Sequence, residues 1–336
     1  MIVDRYYYNQ LNKHEKKIYE ALYKGLQDYK EQISVRVSTK LTNKMVYRVF
    51  CAITEDNPLI YYLNQSLINM AQDSFGNIII YPKYFFSEET IHKYNKKIQD
   101  TVNSLAARLK LTEGSDLDKV RKVHDYLCSS ITYDIEGADK NKPAKVIMSH
   151  NIIGVFAHHK AQCEGISKAV KVLLNAVDVR CLVVSGKATT DDGITEEHSW
   201  NVVNINDTPA HIDVTWDMGA SQKGAIAYDY YNVTDEQITK SHTAEWKMPA
   251  CSSGKYSYFI NNKLIFRSKS SLKEYITNGI EAGGRDFYFQ LGGNLKQNVI
   301  NEIIDLGCLM LRDNGQKGTC SQIINNEMKT CRIRFY

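Results

Sequence analysis

The chain has 336 residues, 43% of them hydrophobic and 24% charged, the balance of a folded globular protein of two or three domains rather than a disordered one. Its net charge of +4 is small for that length and no Lys/Arg run stands out, so no nucleic-acid partner is expected. No apolar run is long enough to span a bilayer, and MIVDRYYYNQ lacks the basic and apolar regions of an export signal; a cytoplasmic chain without membrane insertion is expected, or an exported or cell-surface one if a leader was removed.

Residues 1–112 read as a mostly helical cap domain. Leu11, Ile18, Leu22 and Leu26 recur at helical spacing, Ile33, Val35 and Val37 alternate as in a strand, and Asp56-Asn57-Pro58 signals a turn. Gly76-Asn77 precedes the apolar strand Ile78 to Tyr81, and Ser87-Glu88-Glu89-Thr90 opens a long helix towards Leu109. No chemical motif lies in this stretch. Residues 113–249 follow as a second unit. Ser115-x-x-Asp118 has the form of a capping box, with Val120, Val123, Leu127 and Ile131 on one helix face. A polar loop is expected from Asp134 to Pro143, and a second loop from Gly186 to Thr195.

Residues 250–336 read as a small α+β domain without a recognisable site. Phe259-Ile260 and Leu264-Ile265-Phe266 flank Asn261-Asn262-Lys263 as a hairpin would, and Ser271 opens a short helix. Phe287-Tyr288-Phe289 reads as a strand, Val299, Ile303, Leu306 and Leu309 as a helix, and Cys331, Ile333 and Phe335 as a terminal strand. The eight cysteines include no CxxC pair, so neither a zinc ribbon nor a dithiol redox motif is supported, and all eight are expected to be reduced. The 22 tyrosines are scattered at apolar positions and read as packing residues.

Chemistry concentrates in three words of the middle unit. In Ala161-Gln162-Cys163-Glu164-Gly165-Ile166-Ser167 the thiol precedes Ile166, Ala169, Val170, Leu173, Leu174 and Val177, an apolar helix face. Cys163 thus falls in the first turn or at the N-cap, where the helix dipole favours a thiolate and a backbone N–H can meet an oxyanion. In Glu197-His198-Ser199-Trp200-Asn201 and His211-Ile212-Asp213-Val214-Thr215-Trp216-Asp217 the residues suit paired strands turning at Asn206-Asp207. Setting Ile205 opposite Thr208 pairs Trp200 with Asp213 and His198 with Thr215. His198 and Asp213 become diagonal neighbours on one face, about 7–8 Å apart at Cα. Pro209, lacking an N–H, falls at a non-hydrogen-bonded pair.

These words together, over residues 113–245, resemble the transglutaminase-like superfamily of papain-like fold, in particular its bacterial members, some of them cysteine peptidases. The resemblance implies an α+β fold: a papain-like core in which a helix carrying the cysteine packs on an antiparallel sheet carrying histidine and aspartate. The N-terminal helical/α+β cap and the C-terminal unit would flank it. A Cys163–His198–Asp213 triad is implied, acting on peptide or carboxamide bonds through a thioester, with a protein or peptide substrate and no cofactor. Gln162, as part of a family-like Gln-Cys pair, Trp200, as a wall of the acyl site or core filler, and Tyr133, as a hydroxyl donor to the oxyanion, are secondary candidates. Tyr228 to His242 resembles the segment that follows the family's aspartate and is expected to pack behind the hairpin, with His242 structural.

Cysteine peptidase or amidase is the preferred activity. Glutamine transamidation uses the same three residues, and a non-catalytic scaffold retaining the core is the rival outside enzymology. A metal site formed by His150, His158, His159 and Cys163 matches no zinc spacing. No phosphate-binding glycine motif is present. Substrate identity and oligomeric state are not legible.

Overall fold

The hairpin between Trp200 and Asp213 organises the middle of the molecule. In the computed structural model, which describes residues 5–138, 141, 143–222, 224–296 and 298–336, Asn206 and Asp207 both adopt left-handed backbone (φ 46° and 59°), as a two-residue turn of type I′ requires. Ile205 pairs with Thr208 and Pro209 with Asn204, the register expected from the sequence. Asn204 directs its N–H away from Pro209, to the Arg180 carbonyl at 2.9 Å.

In the first unit, helices α1 (Lys13–Gln27), α2 (Asn43–Asp56) and α3 (Glu88–Arg108) accompany an antiparallel sheet. Its strands β1 (Ile33–Arg36), β2 (Asn69–Gln72) and β3 (Asn77–Tyr81) run in the order β1-β3-β2. The middle unit starts with α4 (Asp116–Ser130), whose capping box is formed by Ser115 and Asp118, and continues through α5 (Cys163–Asn175). Strands β4 (Cys181–Thr189), β5 (Thr195–Ile205), β6 (Thr208–Ile212), β7 (Tyr231–Val233) and β8 (His242–Ala244) form one antiparallel sheet in the order β8-β4-β5-β6-β7. A short helix, α6 (Val214–Ala220), leaves the end of β6. The result is an α+β fold with a papain-like core: a cysteine-bearing helix against an antiparallel sheet.

In the third unit β9 (Ile265–Phe266), β10 (Asp286–Leu291), β11 (Cys320–Asn325) and β12 (Thr330–Phe335) form a four-stranded sheet in the order β9-β10-β12-β11. Helices α7 (Lys269–Glu281) and α8 (Asn298–Asp313) complete this unit. The expected hairpin at Asn261-Asn262-Lys263 is corrected. Tyr258–Asn261 is a helical turn capped by Ser257, and β9 pairs in parallel with β10. Ser257 offers its Oγ to the Ile260 N–H, and this cap competes successfully with strand formation. The expected loop from Gly186 to Thr195 is shorter than read, spanning 190–194, because β4 and β5 stay paired as far as Thr189 and Thr195. The expected loop from Asp134 to Pro143 contains a 3₁₀ turn at Ile135–Ala138, while residues 139, 140 and 142, like residues 1–4 of the amino-terminal segment, lie outside the described residues.

One continuous apolar core links the first two units, from Leu22, Leu26 and Ile53 to Ile166, Leu173, Val203 and Ile212. The third unit has its own, around Phe287, Phe289, Ile303 and Phe335. It docks through Asp229, which accepts hydrogen bonds from the Tyr288 hydroxyl at 2.5 Å and Thr330 Oγ1 at 2.6 Å. On α6, Asp217 accepts the Tyr230 N–H at 3.0 Å and lies 3.1 Å from His124 on α4, anchoring the helix that follows Asp213.

The first turn of α5 passes close to the backbone ahead of it. A Cβ on Gly165 would stand 2.6 Å from the Ser149 carbonyl oxygen and 2.9 Å from that of Asn151. Gly165→Ala gains about 1 kcal/mol of helix propensity, yet the forced backbone shift should cost about 1–3 kcal/mol. Denaturant unfolding is expected to show a net loss of stability, and a more stable variant would show that the contact relaxes freely.

Candidate active site

Cys163 is the first helical residue of α5, with Gln162 at the N-cap in extended backbone. Gln162 does not cap the helix with its side chain; its Nε2 donates to the Asp134 carbonyl at 3.0 Å. The first-turn N–H groups beside the thiol are therefore left without a side-chain cap. Helix and sheet are fastened together here. Ser167 Oγ lies 2.8 Å from the Cys163 carbonyl and 2.9 Å from that of Ser199. Asn201 Nδ2 donates to the carbonyls of Ser167 and Leu182 at 2.9 and 3.0 Å.

His198 projects from β5, with Nε2 2.6 Å from Asp213 Oδ2. That contact leaves Nδ1 as the ring nitrogen free of the carboxylate, and Cys163 is near enough to act on the proton affinity of the ring. Burial alone would lower the proton affinity of the ring. The charge and hydrogen bond of Asp213, reinforced by Cys163, outweigh it and lift the His198 pKa to about 10. Asp213 is fully buried, which by itself would raise its pKa; His198 and then His242 hold the carboxyl well below the usual range.

The expected pairings of Trp200 with Asp213 and of His198 with Thr215 are corrected. The ladder ends at Ile212, and Asp213 becomes the N-cap of α6, its Oδ1 accepting the Trp216 N–H at 3.0 Å. Aspartate offers a free helix N–H an acceptor, and capping overrides strand continuation. Thr215 lies on α6. Oδ2 is left to face the imidazole.

Tyr133 sits on a two-residue strand, Thr132–Tyr133, paired with Lys160–Ala161. Its side chain is partly exposed, and Cys163 is among the groups that act on its hydroxyl. Burial, then the charges of Cys163, Glu196 and Asp213, push its pKa above the ordinary phenol value. Trp200 is 1% exposed. Its ring stacks 6.2 Å from His198, and its indole N–H donates to His211 Nδ1 at 3.1 Å.

His242 is the residue that sequence reasoning missed. Far from packing behind the hairpin, its Nε2 lies 3.1 Å from Asp213 Oδ2. No local signal marks it, because β8 joins the far edge of the sheet 29 residues after Asp213.

The group His150, His158, His159 and Cys163 does not converge; His150 pairs instead with Glu164 at 3.2 Å. Among the described residues, the sets whose ligand atoms do converge are His198/Asp213/His242 and His211/Asp235/Cys251. In the second, Trp200 donates to His211 Nδ1, so the ring proton lies on Nε2, which donates to Asp235 at 2.9 Å and has no lone pair to offer a cation. In the first, both Nε2 atoms are directed at one carboxylate oxygen as N–H donors.

Residues 103–214 match the family model described as the transglutaminase-like superfamily, a span that contains Cys163, His198 and Asp213. This region is similar to a transglutaminase-like core. A stretch of 134 residues is 25% identical to mouse (Mus musculus) kyphoscoliosis peptidase, covering 36% of this chain and 19% of that protein, so the likeness spans about a fifth of the relative. Among solved structures, a crystal structure of a TGase aligns over 55% of this chain and 50% of its own, with 17% identity and a TM-score of 0.31. A candidate cysteine protease from Cytophaga hutchinsonii aligns over 44% of this chain and 61% of its own, with 10% identity and a TM-score of 0.28. No helix among the described residues is long and apolar enough to cross a membrane.

Proposed function

We propose that the transglutaminase-like core is a cysteine peptidase or amidase acting through a thioester at Cys163. The observation that carries this reading is the His198 ring, bonded at Nε2 to Asp213 over 2.6 Å, with Cys163 at the first position of α5 near enough to raise the ring's proton affinity. His198 takes the thiol proton, and the sulfur adds to the carbonyl carbon of a peptide or carboxamide. The oxyanion that forms lies beside the N terminus of α5 and within reach of the Tyr133 hydroxyl. Collapse breaks the C–N bond, and the imidazolium gives its proton to the leaving amine. Water, deprotonated by His198, then attacks the thioester and releases the acid with the thiol restored. Asp213 holds the ring and balances its charge throughout.

Tyr133→Phe removes one proposed oxyanion donor. It is expected to lower kcat about 10²-fold with little change in KM; an unchanged kcat would assign Tyr133 to packing. The reaction class is tested by incubating the protein with casein and a peptide library, with and without a primary amine, and reading products by mass spectrometry. New chain termini without amine incorporation are expected. Amine adducts at glutamine would replace hydrolysis by transamidation, and unchanged substrates would favour a scaffold.

A further inference from the structure

Asp213 Oδ2 accepts from two rings, His198 at 2.6 Å and His242 at 3.1 Å, while the Trp216 N–H occupies Oδ1. The triad chemistry proposed above uses only the first ring. His242 is 2% exposed and enclosed by polar and aromatic neighbours. Its Nδ1 lies 2.8 Å from Ser241 Oγ, and its ring centroid is 4.5 Å from that of Trp216, 5.0 Å from Trp200, 5.4 Å from His198 and 5.7 Å from Tyr230. Because Asp213 is an ionised acceptor, His242 meets it with an N–H at Nε2, and the Ser241 hydroxyl then donates to Nδ1.

We propose that His242 is a positioning residue: it pins Asp213 Oδ2, and so sets how that oxygen orients and grips the His198 ring. The proposal deepens the cysteine-hydrolase reading and rests on it. A carboxylate that already accepts one N–H has less charge to offer a second donor. His242 therefore tempers the pull of Asp213 on the proton of His198, which that ring must release to the leaving amine in every turnover. The titratable groups facing His242 are Asp213 from the head of α6, His198 from β5, His211 from β6 and Tyr230 from the segment before β7. Ser241, on its own segment, is uncharged.

Reach separates this role from simple packing. In His242→Gln the amide nitrogen stands where Nε2 stood and can still donate to Asp213. In His242→Asn the amide falls at the Nδ1 position, keeping the polar contact with Ser241 but not reaching the carboxylate. The experiment measures iodoacetamide alkylation of Cys163 by peptide mapping from pH 5 to 11, together with kcat and KM on a cleaved peptide, for wild type and both variants. His242→Gln is expected to keep the wild-type pH profile and a kcat within about threefold. His242→Asn is expected to move the alkaline limb upward by about 0.5 pH unit and to lower kcat about tenfold at similar KM. Profiles that match wild type in both variants, or shift equally in both, would overturn the proposal. A wild-type protein whose Cys163 is no more reactive than its other thiols would instead overturn the hydrolase reading beneath it.

Discussion

Cys163→Ser is expected to abolish turnover, with kcat/KM lower by about 10⁴-fold or more while the fold survives. The loss of a nucleophile that acts as one unit with its base is of this size in other triads, and a serine hydroxyl gives up its proton far less readily than a thiol. Structurally the change is small. Cys163 is buried at the first helical position of α5, and its carbonyl accepts from Ser167 Oγ, which also reaches the Ser199 carbonyl of the sheet; none of this involves the sulfur that serine replaces. Thermal unfolding within a few degrees of wild type should therefore accompany the lost activity. Retained activity in the serine variant would remove Cys163 from the chemistry.

Asp213→Asn should be nearly as severe at neutral pH, with a loss of about 10³–10⁴-fold. If the amide oxygen keeps the cap on the Trp216 N–H, the amide nitrogen faces His198 Nε2 and His242 Nε2, both donors in wild type. Donor would meet donor, and the His198 ring must change tautomer or turn away. Without the carboxylate charge the ring also loses its main source of proton affinity. The alkaline limb of activity should fall from about 10 towards the ordinary histidine range near 6.5. Stability responds with a definite sign. The depressed carboxyl of Asp213 contributes above about pH 4, a contribution lost as pH falls through its folded value. The raised His198 contributes fully below about pH 6.5 and loses its share as pH rises through about 10. The stability gap between wild type and Asp213→Asn is thus expected to be widest between about pH 4 and 6.5 and to close towards pH 10. A gap independent of pH would mean that the pair does not hold its charges as described.

Much of the site was legible because short-range rules govern it. An apolar helix starting at Cys163 and a two-residue turn at Asn206-Asp207 are local features, and the turn sets the register that aligns His198 with the end of β6. The failures have physical reasons too. Strand parity was carried past Ile212 to Asp213 and Thr215 because Asp213 has two conformational options, and the Trp216 N–H decides for the cap. A comparable competition turned Tyr258–Asn261 into helix, through the Ser257 cap. Helix α2, strand β11 and His242 were not singled out for their roles; His242 depends on an edge strand joining the sheet from far along the chain, which no local pattern encodes.

The other thiols offer a built-in reference. Burial pushes Cys51, Cys251 and Cys331 up to about 12 and raises Cys128 and Cys320 as well, so these remain protonated and slow near neutral pH. The most direct measurement is an acid quench during turnover of a cleaved peptide, followed by mapping of all eight cysteines by mass spectrometry. An acyl adduct on Cys163 alone, released by hydroxylamine and absent from His198→Ala, is the expected result. Turnover with no adduct on Cys163 under conditions that preserve thioesters, or an adduct that forms equally without His198, would contradict it.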